Sequence, residues 1–475
     1  MSEQMNLPKE LLCDLRLDRL LSEQALAVLA SPCDGDTRRA RQECFAALED
    51  DGRLARAEAC REALILLLRA VELGRDVAGL TVIDRAYALR RMMDRYLKAC
   101  GRLAALSDCG AYFAAAARAV GEKRELLATM EVACSRLEAV LGRMRFGLLS
   151  VADKTWLTPE GENAVSERER IADCGTRMGL IPPAAAERRI SPDITLTDAV
   201  CRLHADEVAQ AEEICEAYAS FSWREPLAHL SELKFVLEIC GLTARATAQG
   251  IPHCIPIMAQ TPQYTAREVY DISLLAKACE RIVPNDVAFT AGEPFAFLTG
   301  ANGGGKTTYL RAVGLNLVLA CAGCPVFARQ ATVYPFARIA AHMPRDERFD
   351  RTGRLDEERA RVAQMLCAPS EDKAFLLFNE TFSGTDDARG FALLTETAGQ
   401  ITEAGHFGLY VTHFHEVAAL GLPLLTAQID PTDENRRTYR IVRTGGGDSS
   451  YASDILRKYR LDRASLRERR GGCAR

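Results

Sequence analysis

No apolar run in the 475 residues approaches the roughly 20 needed to span a bilayer, so no membrane segment is expected. The first ten residues, MSEQMNLPKE, lack a basic stretch ahead of an apolar core, so no secretory signal is expected either. There is no surplus of positive charge. Lys and Arg number 60 against 65 Asp and Glu, a net of -5, so composition announces no nucleic-acid partner. No repeat recurs at a fixed period, which removes solenoid architectures. Cysteine is abundant at 17 residues but lacks the regular spacing of a disulfide framework. Cys321 and Cys324 form a C-x-x-C with no second pair beside it, which reads as buried thiols rather than zinc or redox chemistry. With 48% hydrophobic and 26% charged residues, the chain has the composition and length of two or three globular domains.

Residues 7 to about 150 read as successive helices. Gly and Pro are sparse there, and apolar residues recur at three and four, as in Leu64, Leu67, Leu68 and Val71. From 151 to 198 the pattern loosens into a connector or reduced subdomain. Helical periodicity returns at 199–247, and GIPHCIPIM (250–258) closes this half. Beyond residue 264 short apolar runs alternate with helices. Strands are expected at 295–298, near 331–341, at 374–378 and at 408–411, with helices at 306–321, 356–367 and 388–404. That alternation implies an α/β domain with a largely parallel sheet. The expected division is 1–263, all helical, followed by 264–475.

The richest stretch is FAFLTGANGGGKTTYLRAV (295–313). Gly300-Ala301-Asn302-Gly303-Gly304-Gly305-Lys306-Thr307, continued by Thr308, fits the phosphate-binding pattern G-x-x-x-x-G-K-[ST] between a strand and a helix. Glycines let the backbone wrap an anion, and the helix N-terminus adds its positive end. Lys306 supplies a cation for the β- and γ-phosphates. The Thr307 hydroxyl can ligand Mg²⁺. ATP with Mg²⁺ is therefore the expected ligand pair, and a nucleotide site without a signal peptide points to the cytoplasm.

Two later strand ends complete the chemistry. Ala374–Phe378 is a continuous apolar run ending at Asn379-Glu380. P-loop ATPases bring an acidic residue to the metal from a second strand. Here Glu380 is the candidate base, and Asn379 is a metal-side residue without charge. Leu409-Tyr410-Val411 leads into Thr412-His413-Phe414-His415. His413 is the candidate for a contact to the γ-phosphate or the attacking water. A His413–His415 metal pair is discounted, because no third ligand lies nearby in sequence.

In sum the second half resembles the ATPase domain of the MutS DNA mismatch-repair family. The resemblance rests on Val283-Pro284-Asn285-Asp286, TGANGGGKTTYLRAVGLN (299–316), NETFSGTDDARG (379–390, through Glu380, Gly384, Thr385 and Gly390), VTHFHEV (411–417) and YRIVRTGGGDSSYASDIL (439–456), in the family's order. The arginine-rich TRRARQECFAALEDDGRL is similar to the family's helical core. The resemblance implies an α/β P-loop NTPase domain of ABC/MutS type behind a helical core/lever domain. It further implies ATP hydrolysis, double-stranded DNA and repair proteins as partners, and a homodimer closed through the ATPase domains.

The departures qualify that expectation. Helical core begins almost at Met1, so no mismatch-reading domain is expected, and 151–198 is too short for a full DNA clamp. Asn379 stands where the family has Asp, and Ile282 where it has an adenine-stacking aromatic. The family's Ser-Thr signature should fall near 351–358, where this chain reads RTGRLDEE. Arg354 is the group that a partner subunit would share, and the amphipathic tail 449–475 is the segment expected at the dimer contact. Against the DNA-associated ATPase stands a nucleotide-dependent protein scaffold with slow or no hydrolysis and no DNA. A general ABC-type or chromosome-maintenance ATPase is disfavoured, because no S-G-G-type signature is present.

Overall fold

The computed structural model describes residues 7–31, 33–75, 81–151, 154–158, 164–166, 169, 173, 194–276, 282–343, 351–367, 373–383, 386–430 and 437–444. The chain divides into two compact units. One comprises residues 1–45 and 238–475, the other residues 46–237.

The first unit opens with helices α1 (Lys9–Asp14), α2 (Glu23–Ala30) and α3 (Gly35–Ala47), the last crossing the boundary. Ser22 caps α2 by accepting from Ala25 N at 3.3 Å, and its own N–H and hydroxyl are held by the Glu238 carboxylate.

The second unit holds α4 (Asp51–Arg75), α5 (Val82–Ala104), α6 (Ala111–Glu122), α7 (Arg124–Arg143), α8 (Ile194–Leu203) and α9 (Ala205–Ala217). Helix α5 is its axis, packed against α4, α6, α7 and α9. Its buried residues Ile83, Ala86, Leu89, Met93, Tyr96, Cys100 and Leu103 recur at three and four, the stripe a core-facing helix needs. On α4, Leu64, Leu67 and Val71 are buried and Leu68 half-buried. Edge-on packing of Tyr96 against Phe221 and Trp223 extends this core. The expectation of an all-helical first half needs correcting. β1 (Arg145–Val151), at the end of the stretch read as helical, and β2 (Lys154–Thr158) and β3 (Val165–Ser166), inside the stretch read as a connector, form an antiparallel sheet ordered β2-β1-β3.

The chain re-enters the first unit through α10 (Leu230–Ala248). β4 (Ile257–Met258), β5 (Tyr264–Val269), β6 (Asn285–Phe289) and β8 (Gln330–Val333) make a mixed sheet ordered β4-β8-β5-β6. A six-stranded sheet carries the remaining strands: β7 (Phe295–Gly300), β9 (Arg338–His342), β10 (Ala374–Asn379), β11 (Phe407–Val411), β12 (Leu424–Ile429) and β13 (Arg437–Thr444). Its order is β13-β12-β7-β11-β10-β9, parallel throughout except for the β12–β13 pair. Every residue of β7, β10 and β11 is buried, as befits parallel strands covered on both faces. Helices α11 (Lys306–Cys321), α12 (Arg351–Leu366) and α13 (Asp387–Glu403) connect or cover them. The expected strand near 331–341 proves to be two, β8 and β9, in different sheets. Tyr334-Pro335 breaks the run, because proline cannot donate to a ladder.

The expected boundary at 263/264 also differs from the observed division, and the reason is physical. Helix α11 is buried along nearly its whole length, so the carbonyls at its C-terminus cannot reach bulk water. Arg38 Nε donates to the Cys321 carbonyl at 2.9 Å, and Arg41 Nη1 donates to the Ala322 carbonyl at 3.1 Å. Both arginines are 8% exposed. Cations at a helix C-terminus also oppose its dipole. Leu15, fully buried, lies so close to α11 that a Cβ on Gly314 would come within 2.5 Å of it. These contacts tie residues 7–45 to the sheet-bearing unit.

Removing one cap leaves a buried carbonyl unsatisfied. Arg38→Ala and Arg41→Ala should each lower stability by about 1–3 kcal/mol. Urea unfolding followed by circular dichroism measures this, and Arg39→Ala on the same helix is the control that should be near neutral.

Candidate nucleotide-binding site

β7, β11 and β10 lie side by side with their C-terminal ends at one sheet edge, Leu298 paired with Val411 and Val411 with Asn379. Parallel α/β sheets bind ligands beyond such ends. The glycine loop leaves β7 there. Gly300, Gly303 and Gly305 adopt φ of +127°, +74° and +91°, left-handed conformations costly for residues with a Cβ. Gly305 is the N-cap of α11 and offers no side chain, so the first-turn N–H groups keep their capacity for an anion.

Lys306 is 5% exposed. Its ammonium donates to the carbonyls of Gly300 at 2.8 Å and Ala301 at 3.3 Å, and to Asn302 Oδ1 at 3.4 Å. Those three acceptors match its three donors. Burial lowers its pKa, the Glu380 carboxylate opposes that shift, and Arg437 adds to it. Thr307 Oγ1 donates to Asn379 Oδ1 at 3.1 Å and so ties α11 to the end of β10. Gly304 takes a position where a Cβ would lie 2.9 Å from the Ala301 carbonyl. Thr308 continues the first turn of α11 and is half-buried.

Glu380 follows β10 at φ +50°, with its N–H donating to the Val411 carbonyl at 2.8 Å. Its side chain is half-buried, within electrostatic reach of Lys306. His413, at the end of β11, is half-buried with its ring 4.3 Å from that of Phe414. The sequence-nominated residues Gly300 to Thr307, Asn379 and Glu380 are thus brought together, and His413 leaves the adjacent strand.

Three neighbours were given no nucleotide-site role by sequence reasoning, His415 having been weighed only as half of a discounted metal pair. His415 Nδ1 lies 3.4 Å from Thr299 Oγ1 at the end of β7. Desolvation lowers its pKa, Glu416 opposes that, and His413 and Lys306 add to it. Arg437 is a second cation acting on the loop. Tyr439, half exposed at φ +58°, stands beside Gly305, where a Cβ would lie 3.4 Å from its ring. Its carbonyl accepts from Asn285 Nδ2 at 3.0 Å, and Asn285 Oδ1 accepts from Ile441 N at 2.7 Å. The Val283-Pro284-Asn285-Asp286 stretch therefore braces β13, and Tyr309 donates to the Asp286 carbonyl at 2.8 Å. Asn285 was the available signal, an amide with two faces ahead of the strand. Gly384, Thr385 and the tail 449–475 lie outside the described residues, as does the side chain of Arg354. Cys321 and Cys324 are fully buried, and burial pushes the Cys321 thiol up to about 12.

Residues 296–452 match the family model described as MutS domain V. Relatives include the DNA mismatch repair protein MutS of Natronomonas pharaonis, 28% identical over 53% of this chain and 31% of that protein. The DNA mismatch repair protein MSH2 of Zea mays is 30% identical over 45% of this chain and 22% of that protein. Endonuclease MutS2 of Lactococcus lactis is 28% identical over 38% and 24% respectively. Residues 296–452 are thus similar to the MutS family's domain V. Its matches span less than a third of the length of these relatives. MutS domain V is a P-loop ATPase-type domain, and the helical region with mixed α/β sheets accords with that class. The glycine loop, Asn379-Glu380 and His413 all fall inside the matched segment.

Lys306→Ala should abolish nucleotide affinity, since the buried ammonium is the loop's own cation. Titration with a fluorescent ATP analogue checks this, and an unchanged dissociation constant refutes it. Arg437→Ala should weaken affinity only on the order of fivefold, the scale of one partly screened charge.

Proposed function

We propose that this MutS-like chain binds ATP with Mg²⁺ at the loop between β7 and α11 and hydrolyses it in association with double-stranded DNA. One observation carries the reading. Lys306, Thr307, Asn379 and Glu380, 74 residues apart at the extremes, converge at one sheet edge through the Thr307–Asn379 hydrogen bond. The mismatch-repair names of the relatives support the DNA association.

The residues fit Mg²⁺ as hard oxygen donors. Thr307 Oγ1 and Asn379 Oδ1 are 3.1 Å apart at the β10 end. Neither carries charge, so the site holds the ion weakly and relies on the phosphates. Bound there, Mg²⁺ would neutralise charge on the transferred phosphoryl group. The chain's own residues do the rest. The Lys306 ammonium exchanges its loop carbonyls for phosphate oxygens. The α11 first-turn N–H groups hold the same anion. Glu380 orients the attacking water and takes its proton as the water oxygen bonds to the γ-phosphorus. The bond from that phosphorus to the bridging oxygen breaks, and ADP leaves. His413 from β11 contacts the γ-phosphate or that water.

We further propose a homodimer closed through the ATPase domains, with repair proteins as additional partners. Arg437 provides a second cation from the same chain, so charge alone does not require Arg354 from a partner subunit. A second reading, an ATP-dependent protein scaffold without DNA, has a specific observation in its favour. Exposed arginines of the helical unit are tied to carboxylates: Arg53 and Arg56 to Asp108, Arg85 to Glu212, Arg136 to Glu213 and Arg143 to Glu207. Such pairs compete with DNA phosphates.

Phosphate release with and without duplex DNA separates the readings. Glu380→Gln should retain nucleotide and lose turnover by about 10²–10⁴. Asn379→Asp should lower the Mg²⁺ concentration needed for half-maximal rate. DNA affinity should fall steeply between low and moderate salt, because phosphate contacts dominate sequence-tolerant binding. No DNA retention at low salt, together with unstimulated hydrolysis, favours the scaffold. Sedimentation with and without ATP tests the dimer. A chain that stays monomeric at micromolar concentration in both conditions refutes it.

A further inference from the structure

We propose that His342 is a positioning residue for Glu380, acting through Thr381. The proposal rests on the role assigned to Glu380 above and adds a group that no motif contains. Residues 380–382 form a turn in which Glu380 and Phe382 sit at φ +50° and +66°. Two left-handed residues with side chains, one apart, form an unfavourable backbone that the surroundings must hold. Four bonds do so, from three elements. The Glu380 N–H donates to the Val411 carbonyl at 2.8 Å. The Tyr410 hydroxyl donates to the Thr381 carbonyl at 3.1 Å. The Phe382 N–H donates to Glu358 Oε2, on α12, at 3.2 Å. Among the described residues, the fourth bond alone holds the turn by a side chain of its own. Thr381 Oγ1 lies 2.8 Å from His342 Nδ1 at the end of β9.

Both partners are buried, Thr381 at 1% and His342 at 3% exposure, so water cannot replace the bond. The neighbours are rigid. Tyr410 is fully buried and stacks on Phe378 at 5.0 Å between ring centroids, and Phe382 is 2% exposed. Thr381 is thereby fixed at its hydroxyl and its carbonyl, with a left-handed residue on either side. Rotation of the 380–381 peptide is what would release Glu380 from φ +50° and turn its carboxylate off the loop. The His342–Thr381 bond opposes that rotation from the β9 side. His342 touches neither the glycine loop nor Glu380 through any described hydrogen bond. Its effect on chemistry passes through the turn.

Two pairs of variants test this. Thr381→Val keeps shape and removes the hydroxyl, whereas Thr381→Ser keeps the hydroxyl. His342→Leu removes the imidazole partner, whereas His342→Asn keeps a hydrogen-bonding group near Nδ1. Amide exchange over the 379–383 segment of the full chain, read by mass spectrometry, should speed up in Thr381→Val and His342→Leu. It should return toward the parent in Thr381→Ser and His342→Asn. The same two disruptive variants should lower kcat on the order of 10- to 100-fold, the cost of a misplaced group. Nucleotide affinity should stay within about twofold of the parent, since phosphate binding does not use the turn. In a Glu380→Gln background Thr381→Val should add no further loss. Parental exchange rates in both disruptive variants overturn the proposal. So does faster exchange with undiminished kcat, if Glu380→Gln abolishes turnover. If parent and Glu380→Gln are equally inactive, the hydrolytic reading fails by itself, and the exchange rates alone decide whether His342 holds the turn.

Discussion

A helix buried on every side has two polar ends and no water to satisfy them. That constraint governs the sheet-bearing unit. Helix α11 is lined by buried residues from Tyr309 to Cys321, with Lys306 buried at its start. At its C-terminus, the arginines Arg38 and Arg41 close the Cys321 and Ala322 carbonyls. At its N-terminus no side chain caps it, because Gly305 has none to give. The sealed end contributes stability. The open end is available to an anion, and the same dipole that favours arginine at one end favours phosphate at the other.

Local signals carried much of this. The β7–loop–α11 unit was legible because strand, glycine turn and helix are contiguous, and a helix over 306–321 is what the structure shows. β10 and β11 were legible as apolar runs, since parallel strands buried on both faces leave no alternation to misread. Sequence reasoning missed long-range partners. Nothing near Arg38 announces that it meets a carbonyl 283 residues away. Arg437 and His342 enter the site from strands whose order in the sheet cannot be counted off the chain. The β1–β3 sheet was missed for another reason. Its three strands are short and lie among residues rich in Pro, Gly and charge, where period-two alternation barely develops.

Asn379 ties two elements of the site together without adding charge. It still accepts from Thr307, so the geometry between α11 and β10 is retained. It brings no charge. The carboxylate that remains, on Glu380, belongs to a turn strained at two of its residues. In the proposed roles, metal affinity and base placement would be separately adjustable, one through an amide at the strand end and the other through the packing beneath the turn.

The sheet-bearing unit is assembled from two distant parts of the chain, residues 1–45 and 238–475, with an entire compact unit between them. Leu15, Arg38 and Arg41 find their places only against α11, which begins at residue 306. On the ribosome those N-terminal residues emerge first and wait. The 46–237 unit can condense meanwhile, since its helix contacts lie within that stretch. Because closure entropy grows only as the logarithm of loop length, and a folded insert shortens the effective loop, the wait costs little free energy. It costs time. Until α11 arrives the apolar face of the N-terminal segment has no native surface to cover it, and that interval is when the nascent chain is most exposed to misassociation.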